Sequence, residues 1–182
     1  MLFKLKWIVS ALLLKLFCKK LLMPSYFSLP VFVKGLNKVS IGKRVRIFPG
    51  ARIEVHGKGS ISIGDNVGIG QNFHVTSAGE LTIGRNTTIT ANVCISNIVH
   101  PYLDISIPPS EQTIMVKDTT IGRSCFIGFG AVILPGSKLG NHCIVGANSV
   151  VSGAFPDYSV VAGNPAKLIK KYNFSTEAWE RV

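Results

Sequence analysis

A chain of 182 residues is long enough for one continuous core and short for two typical domains, so a single domain is expected. Apolar residues at 47%, with 18 glycines and only 16% charged residues, suit a repetitive fold with many turns and argue against a solvated helical bundle. The net charge of +11 sits at one end: ten of the 20 Lys and Arg lie between Lys4 and Arg46, where there is no acid, and the other ten face nine acids. A nucleic-acid footprint over the body of the chain is therefore excluded.

Residues 1–30 are expected to be an amphipathic, basic N-terminal segment. The stretch from 1 to 23 is rich in Leu and Lys, and its longest Lys-free run, Trp7 to Leu14, is far short of the roughly 20 apolar residues that span a bilayer. No A-x-A-like cleavage site follows, and Lys15, Lys19 and Lys20 interrupt the place for one, so an uncleaved helix is expected. With Lys4, Lys15 and Lys19 on one helical face, residues 1–23 could make peripheral contact with an anionic membrane; packing on the protein itself is the alternative.

From residue 31 to 163 the pattern is a six-residue repeat. Aliphatic residues recur at Ile121, Ile127, Ile133, Leu139, Val145 and Val151, and shorter runs repeat this at Ile41, Ile47, Ile53, then Ile63, Ile69, Val75, then Ile83, Ile89, Ile95. Three such positions make one eighteen-residue coil, and the runs predict five coils. Four residues after the aliphatic stands a small or apolar residue, such as Val67, Val93, Cys125, Ala131, Ser137, Cys143 or Ser149, expected to point inward. Stacked coils bury their aliphatic columns against one another, so the fold class is all-β, a parallel β-helix. Bundle, sandwich and Rossmann readings do not explain the period.

Cys18, Cys94, Cys125 and Cys143 form no CxxC pair and have no zinc-finger His spacing, so neither metal nor disulfides are expected, and the last three are expected in the core. The breaks at His56 to Ser60 and Ser77 to Gly79 are short, whereas Ile95 to Ile121 is long and contains Asn97-Ile-Val-His-Pro-Tyr. Residues 97–115 are read as an extruded loop, the place where a rigid scaffold carries function. Residues 164–182 form the tail, in which Ser175-Thr-Glu-Ala-Trp-Glu-Arg predicts a short closing helix capped by Ser175.

The ordered set Ile121-Gly-Arg-Ser-Cys-Phe-Ile-Gly, Ile133-Leu-Pro-Gly-Ser-Lys-Leu-Gly, Val145-Gly-Ala-Asn-Ser-Val-Val and Val161-Ala-Gly-Asn-Pro-Ala-Lys, preceded by a His-bearing excursion, resembles the hexapeptide-repeat acyltransferases. Within them it is similar to the maltose and galactoside O-acetyltransferases and to the O-acetyltransferases of bacterial surface polysaccharides, over about residues 39 to 171. The resemblance implies a left-handed β-helix, a homotrimer with active sites between subunits, and acetyl-CoA as acyl donor without a metal; the unpaired cysteines fit a reducing, cytoplasmic compartment, and the Leu/Lys pattern of residues 1–23 could hold the enzyme at the inner membrane face. It also implies a sugar or polysaccharide acceptor and His100 as the general base. A sugar hydroxyl is a poor nucleophile at neutral pH, and a His that stays neutral can accept its proton.

The same resemblance places Asn72 and His74 at acceptor-contacting positions. It implies coenzyme A contacts at Phe126, Gly128, Ala147 and Ser152, and at Lys167 and Lys170 for the phosphates. Two departures stand out: Phe126 where this branch often has Trp, and Gly153 where a Lys often follows the last full hexapeptide. Alternatives are N-acyl transfer to an amino nucleotide sugar, O-acetylation of serine, a γ-carbonic-anhydrase-like metal site and a non-catalytic β-helix. A metal site would need three converging His, and His56, His74 and His142 occupy different phases of the hexapeptide.

Overall fold

The computed structural model describes residues 2–182. Short strands joined by tight corners wind into a three-sided solenoid. Face A stacks Lys20–Leu21, Val39–Ile41, Ser60–Ile63, Glu80–Ile83, Thr119–Ile121, Lys138–Leu139 and Ala154–Phe155. Face B stacks Tyr26–Phe27, Arg46–Ile47, Gly68–Ile69, Thr88–Ile89, Phe126–Ile127, Ile144–Val145 and Ser159–Gly163. Face C stacks Phe32–Lys34, Arg52–Val55, His74–Ser77, Cys94–Ser96, Val132–Ile133 and Val150–Val151. All these pairings are parallel, so the architecture is the expected β-helix.

With seven strands on A, seven parallel strands on B and six on C, the described residues make six full coils and two sides of a seventh, not five. The additional coil at the N-terminal end starts at Lys20, inside the segment assigned to the N-terminal arm. Leu21, Phe27 and Val33 keep the six-residue spacing, and Phe27 pairs with Ile47 in the inward column of face B. An aromatic residue in an aliphatic column hid this coil from the repeat.

The core is the set of stacked columns. Ile47, Ile69, Ile89, Ile127 and Val145 are all buried, and the small residues four places on, Val67, Val93, Cys125, Ala131, Ser137, Cys143 and Ser149, fill the space beside them. Cys94 departs from this: Ile95 takes the inward position of its strand, and Cys94 stands outward and half-buried on face C. The corners between faces B and C share left-handed backbone, with φ of 85° at Gly50, 55° at Asn72, 60° at Asn92, 68° at Gly130 and 55° at Asn148. Asn tolerates this conformation better than other side chains, and here Asn72 Nδ2 donates to Asn92 Oδ1 (3.0 Å) across one coil.

The N-terminal helix α1 spans Leu2–Lys15. Lys19 lies beyond it, so only Lys4 and Lys15 of the three predicted lysines share a helical flank. Ala11 and Leu14 are buried with Leu21 and Phe27, so the helix covers the open end of the first coil, and Trp7 packs on Phe48 (5.2 Å) and Tyr26 (6.1 Å). The expected C-terminal helix is absent. Ala166–Asn173 returns antiparallel along Ser159–Gly163, and Ala178–Arg181 pairs with it as a hairpin. Ser175 stands in the turn, where its N–H donates to Asn173 Oδ1 (2.9 Å). Tyr172 packs edge-on against Trp179 (5.4 Å) and Phe174 (5.1 Å), contacts that a helix would forgo.

Candidate active site

The 97–115 excursion leaves the coil at the corner between faces C and A. Ile98–Val99 and Met115–Val116 form a two-stranded antiparallel ladder at its base, pairing Ile98 with Val116 and Val99 with Met115. His100 and Pro101 follow directly. His100 is exposed, and its ring makes no hydrogen bond among the described residues. Further out, Gln112 Nε2 donates to the Asp104 carbonyl (2.8 Å), and Ser106 donates to Asp104 from both its N–H and its hydroxyl, which lowers the Asp104 pKa.

Two buried residues clamp the base of this loop. Asn97 is fully buried: its Oδ1 accepts from the Ala78 N–H (2.8 Å), its Nδ2 donates to Ser77 Oγ (2.9 Å) and the Glu80 carbonyl (3.3 Å), and its carbonyl accepts from the Lys117 N–H (2.9 Å). At re-entry Thr119, also fully buried, donates to the Ser96 or Lys117 carbonyl and accepts from the Gly136 N–H (3.1 Å). Sequence reasoning passed over both. A polar Asn at the last position before a long break in an aliphatic repeat was the available signal, because a buried amide there must satisfy both ends of its dipole.

Phe126 stands outward and 44% exposed on face B. Gly128 begins the B/C corner, where a Cβ would meet the Ala147 nitrogen and the Val145 oxygen at 2.6 Å, so only Gly allows the next coil to approach. Ala147 is exposed at that same corner one coil on, and Lys167 pairs with Ala162 one coil further. Phe126, Gly128, Ala147 and Lys167 thus line one edge of the solenoid. Ser152 lies instead on the C/A corner column, above the base of the His100 loop. Lys170 pairs with Val160 and Lys167 with Ala162, two positions apart on the partner strand, because a bulge at Ile169 takes up one residue, so the two lysines stand on the same outward side of the sheet.

Asn72 occupies the B/C corner with its amide engaged in the asparagine ladder. His74 stands on face C beside a group that was not anticipated. Glu54 is buried there, and the Arg52 guanidinium bonded to it holds its carboxyl below the usual range against the opposing effect of burial. His56 Nε2 lies 3.4 Å and His74 Nε2 3.7 Å from its carboxylate, and Lys34 Nζ lies 3.3 Å from His56 Nδ1. His56 and His74, in different phases of the hexapeptide, meet because the break after Val55 continues the face C strand by one residue. His142 is at an A/B corner, stacked on Tyr158 (5.0 Å).

A family model described as bacterial transferase hexapeptide (six repeats) matches residues 118–153. Over 160 residues the chain is 36% identical to the putative lipopolysaccharide biosynthesis O-acetyl transferase WbbJ of Escherichia coli (strain K12), spanning 84% of this chain and 82% of that protein. It is 33% identical over 118 residues to the galactoside O-acetyltransferase of the same organism, spanning 62% of this chain and 57% of that one. In fold it is similar to AntD, an N-acyltransferase from Bacillus cereus in complex with dTDP and 3-hydroxybutyryl-CoA, with a TM-score of 0.76 at 18% identity over 93% of this chain and 92% of that chain. The 36% identity to WbbJ across most of both sequences, with the hexapeptide model matched within it, makes this chain a member of the hexapeptide-repeat transferases and an acyltransferase among them.

Proposed function

We propose that the chain is an acetyl-CoA-dependent O-acetyltransferase that acetylates a sugar hydroxyl in bacterial surface polysaccharide biosynthesis, with His100 as general base. The observation that carries this reading is the clamp: two buried polar residues, Asn97 and Thr119, anchor a loop whose first free residue is an exposed histidine. Its similarity to the lipopolysaccharide O-acetyl transferase directs the choice of acceptor.

In the proposed reaction His100 takes the proton of the acceptor hydroxyl as its oxygen attacks the thioester carbonyl. The tetrahedral intermediate collapses by breaking the C–S bond, and the departing thiolate recovers the proton from His100. A positioned base contributes roughly 10²- to 10⁴-fold. Gly128 and Ala147 offer a corner without side-chain bulk for the pantetheine arm, Phe126 a ring to cover the thioester, and Lys167 and Lys170, on one side of their strand, cations for the phosphates, with Ser152 secondary. His74, paired with the buried Glu54, and Asn72 are the acceptor-side groups.

Phe126, Gly128, Ala147 and Lys167 line the B/C edge, while His100 rises from the C/A edge across face C. A homotrimer that apposes the C/A edge of one copy with the B/C edge of the next would join the two halves, and this supports the trimeric reading. Peripheral contact through residues 1–23 at the inner face of the plasma membrane is a separate proposal, independent of the chemistry at His100.

The test is thiol release from acetyl-CoA by wild type and His100→Ala across sugars, amino nucleotide sugars and serine. Release that depends on a sugar hydroxyl and drops at least about 100-fold in the variant supports the assignment. Sugar-dependent release that survives the substitution removes His100 as the base, and turnover confined to amino sugars or serine replaces the acceptor.

A further inference from the structure

The helix α1 has two faces, and only one of them is used by the solenoid. Trp7, Ser10, Ala11 and Leu14 face the protein, and all but the half-buried Trp7 are buried. Leu5, Val9, Leu12 and Leu13 face away, at 64%, 50%, 49% and 55% exposure, and Leu16, in the turn that follows the helix, extends the stripe at 79%. At about 100° per residue the two stripes are centred about 180° apart. Lys4 and Lys15 fall on one flank between them and Lys6 on the other, all exposed. The apolar surface continues beyond the helix: Leu29 shares a groove with Leu5, Val9 and Leu13, and Val33 shares one with Leu14 and Phe17. Isolated exposed leucines are ordinary, but a continuous patch of this kind marks an interaction surface.

We infer that this end of the solenoid docks on an anionic lipid bilayer, with the outer stripe of α1 and the first-coil residues Leu29 and Val33 entering the headgroup boundary and the flanking lysines meeting lipid phosphates. Charge complementarity selects this occupant. The first acid in the chain is Glu54, and every charged residue before it is basic, which suits a negatively charged surface. Lysines placed on both shoulders of an apolar stripe can bury their stems and keep their ammonium groups at the headgroup level. No helix among the described residues is long and apolar enough to cross a membrane, so the contact is peripheral.

The geometry has a consequence for the proposed acceptor, resting on the transferase reading above. The strand that leads into the His100 loop, Cys94–Ser96, is the fourth on face C, after Phe32–Lys34, Arg52–Val55 and His74–Ser77. Three strand spacings are roughly 14 Å, which places the loop base within reach of a sugar carried on a membrane lipid.

Deleting residues 1–23 is an unsuitable test, because Lys20–Leu21 is a strand of the first coil. Flotation of the intact protein with vesicles of phosphatidylcholine, alone or with phosphatidylglycerol, uses the chain as it exists. Binding is expected with the anionic vesicles. It is expected to fall at least about tenfold in Leu12→Glu/Leu16→Glu, whose side chains touch no core, while Lys4→Gln/Lys6→Gln/Lys15→Gln loses the preference for anionic lipid. Absence of flotation by the wild type, or flotation of Leu12→Glu/Leu16→Glu at the wild-type level, overturns the inference. So does loss of flotation accompanied by a smaller species in sedimentation velocity, which would make the patch an interface between copies. Thiol release with a soluble acceptor is retained in all these variants if the transfer reaction stands, so the two proposals fail separately.

Discussion

Replacing Asn97 with Ala tests whether the clamp at the loop base matters for stability and for catalysis. The side chain accepts one hydrogen bond and donates two, at 2.8, 2.9 and 3.3 Å, in a fully buried position. Each such bond contributes about 1 kcal/mol net, and a partner left unsatisfied in the interior costs about 1–3 kcal/mol. The Ala78 N–H loses its acceptor outright, whereas Ser77 Oγ keeps the Ser60 and Gly79 carbonyls as acceptors. A loss of about 2–4 kcal/mol is therefore expected from urea denaturation at fixed chain concentration. Because His100 follows the ladder that Asn97 anchors, kcat should fall by more than the acetyl-CoA KM rises, and limited proteolysis within residues 100–114 should accelerate. A variant within about 0.5 kcal/mol of wild type, with unchanged kcat and unchanged proteolysis, would refute the clamp.

Three further outcomes follow from the geometry. In Gly122→Ala the new Cβ would press on the Gly140 carbonyl of the next coil, so the denaturation midpoint should fall by the equivalent of about 1–3 kcal/mol; an unchanged midpoint contradicts this packing. The Glu54 pKa is held low in the folded chain, so its stabilising contribution is complete above the unfolded value of about 4.3 and disappears as pH falls through the lower folded value. The melting-temperature gap between wild type and Glu54→Gln should be constant at neutral pH and close on acidification, and a gap independent of pH would sink the assignment. Burial pushes the Cys18 thiol up to about 11, so alkylation there at neutral pH should be at least about tenfold slower than at an ordinary Cys; mass spectrometry showing an equal rate would disprove it.

The solenoid was legible in the sequence because a six-residue period needs a residue that points inward at every sixth position, and Ile121 through Val151 supply one without a break. The same period placed Cys125 and Cys143 in the core and singled out residues 97–115 as an excursion. Tertiary structure decided what depends on contacts between distant residues. Phe27 is a core residue because it stacks on Ile47, and residues 178–181 are a strand because aromatic partners on the preceding strand hold them. Glu54 gathers His56 and His74 only once two coils lie side by side. Which residues recur is a property of the chain, but which edges they share follows from the winding. Winding separated His100 from Phe126, Gly128 and Ala147 across face C, and it turned one stripe of α1 onto the first coil while leaving the other facing out.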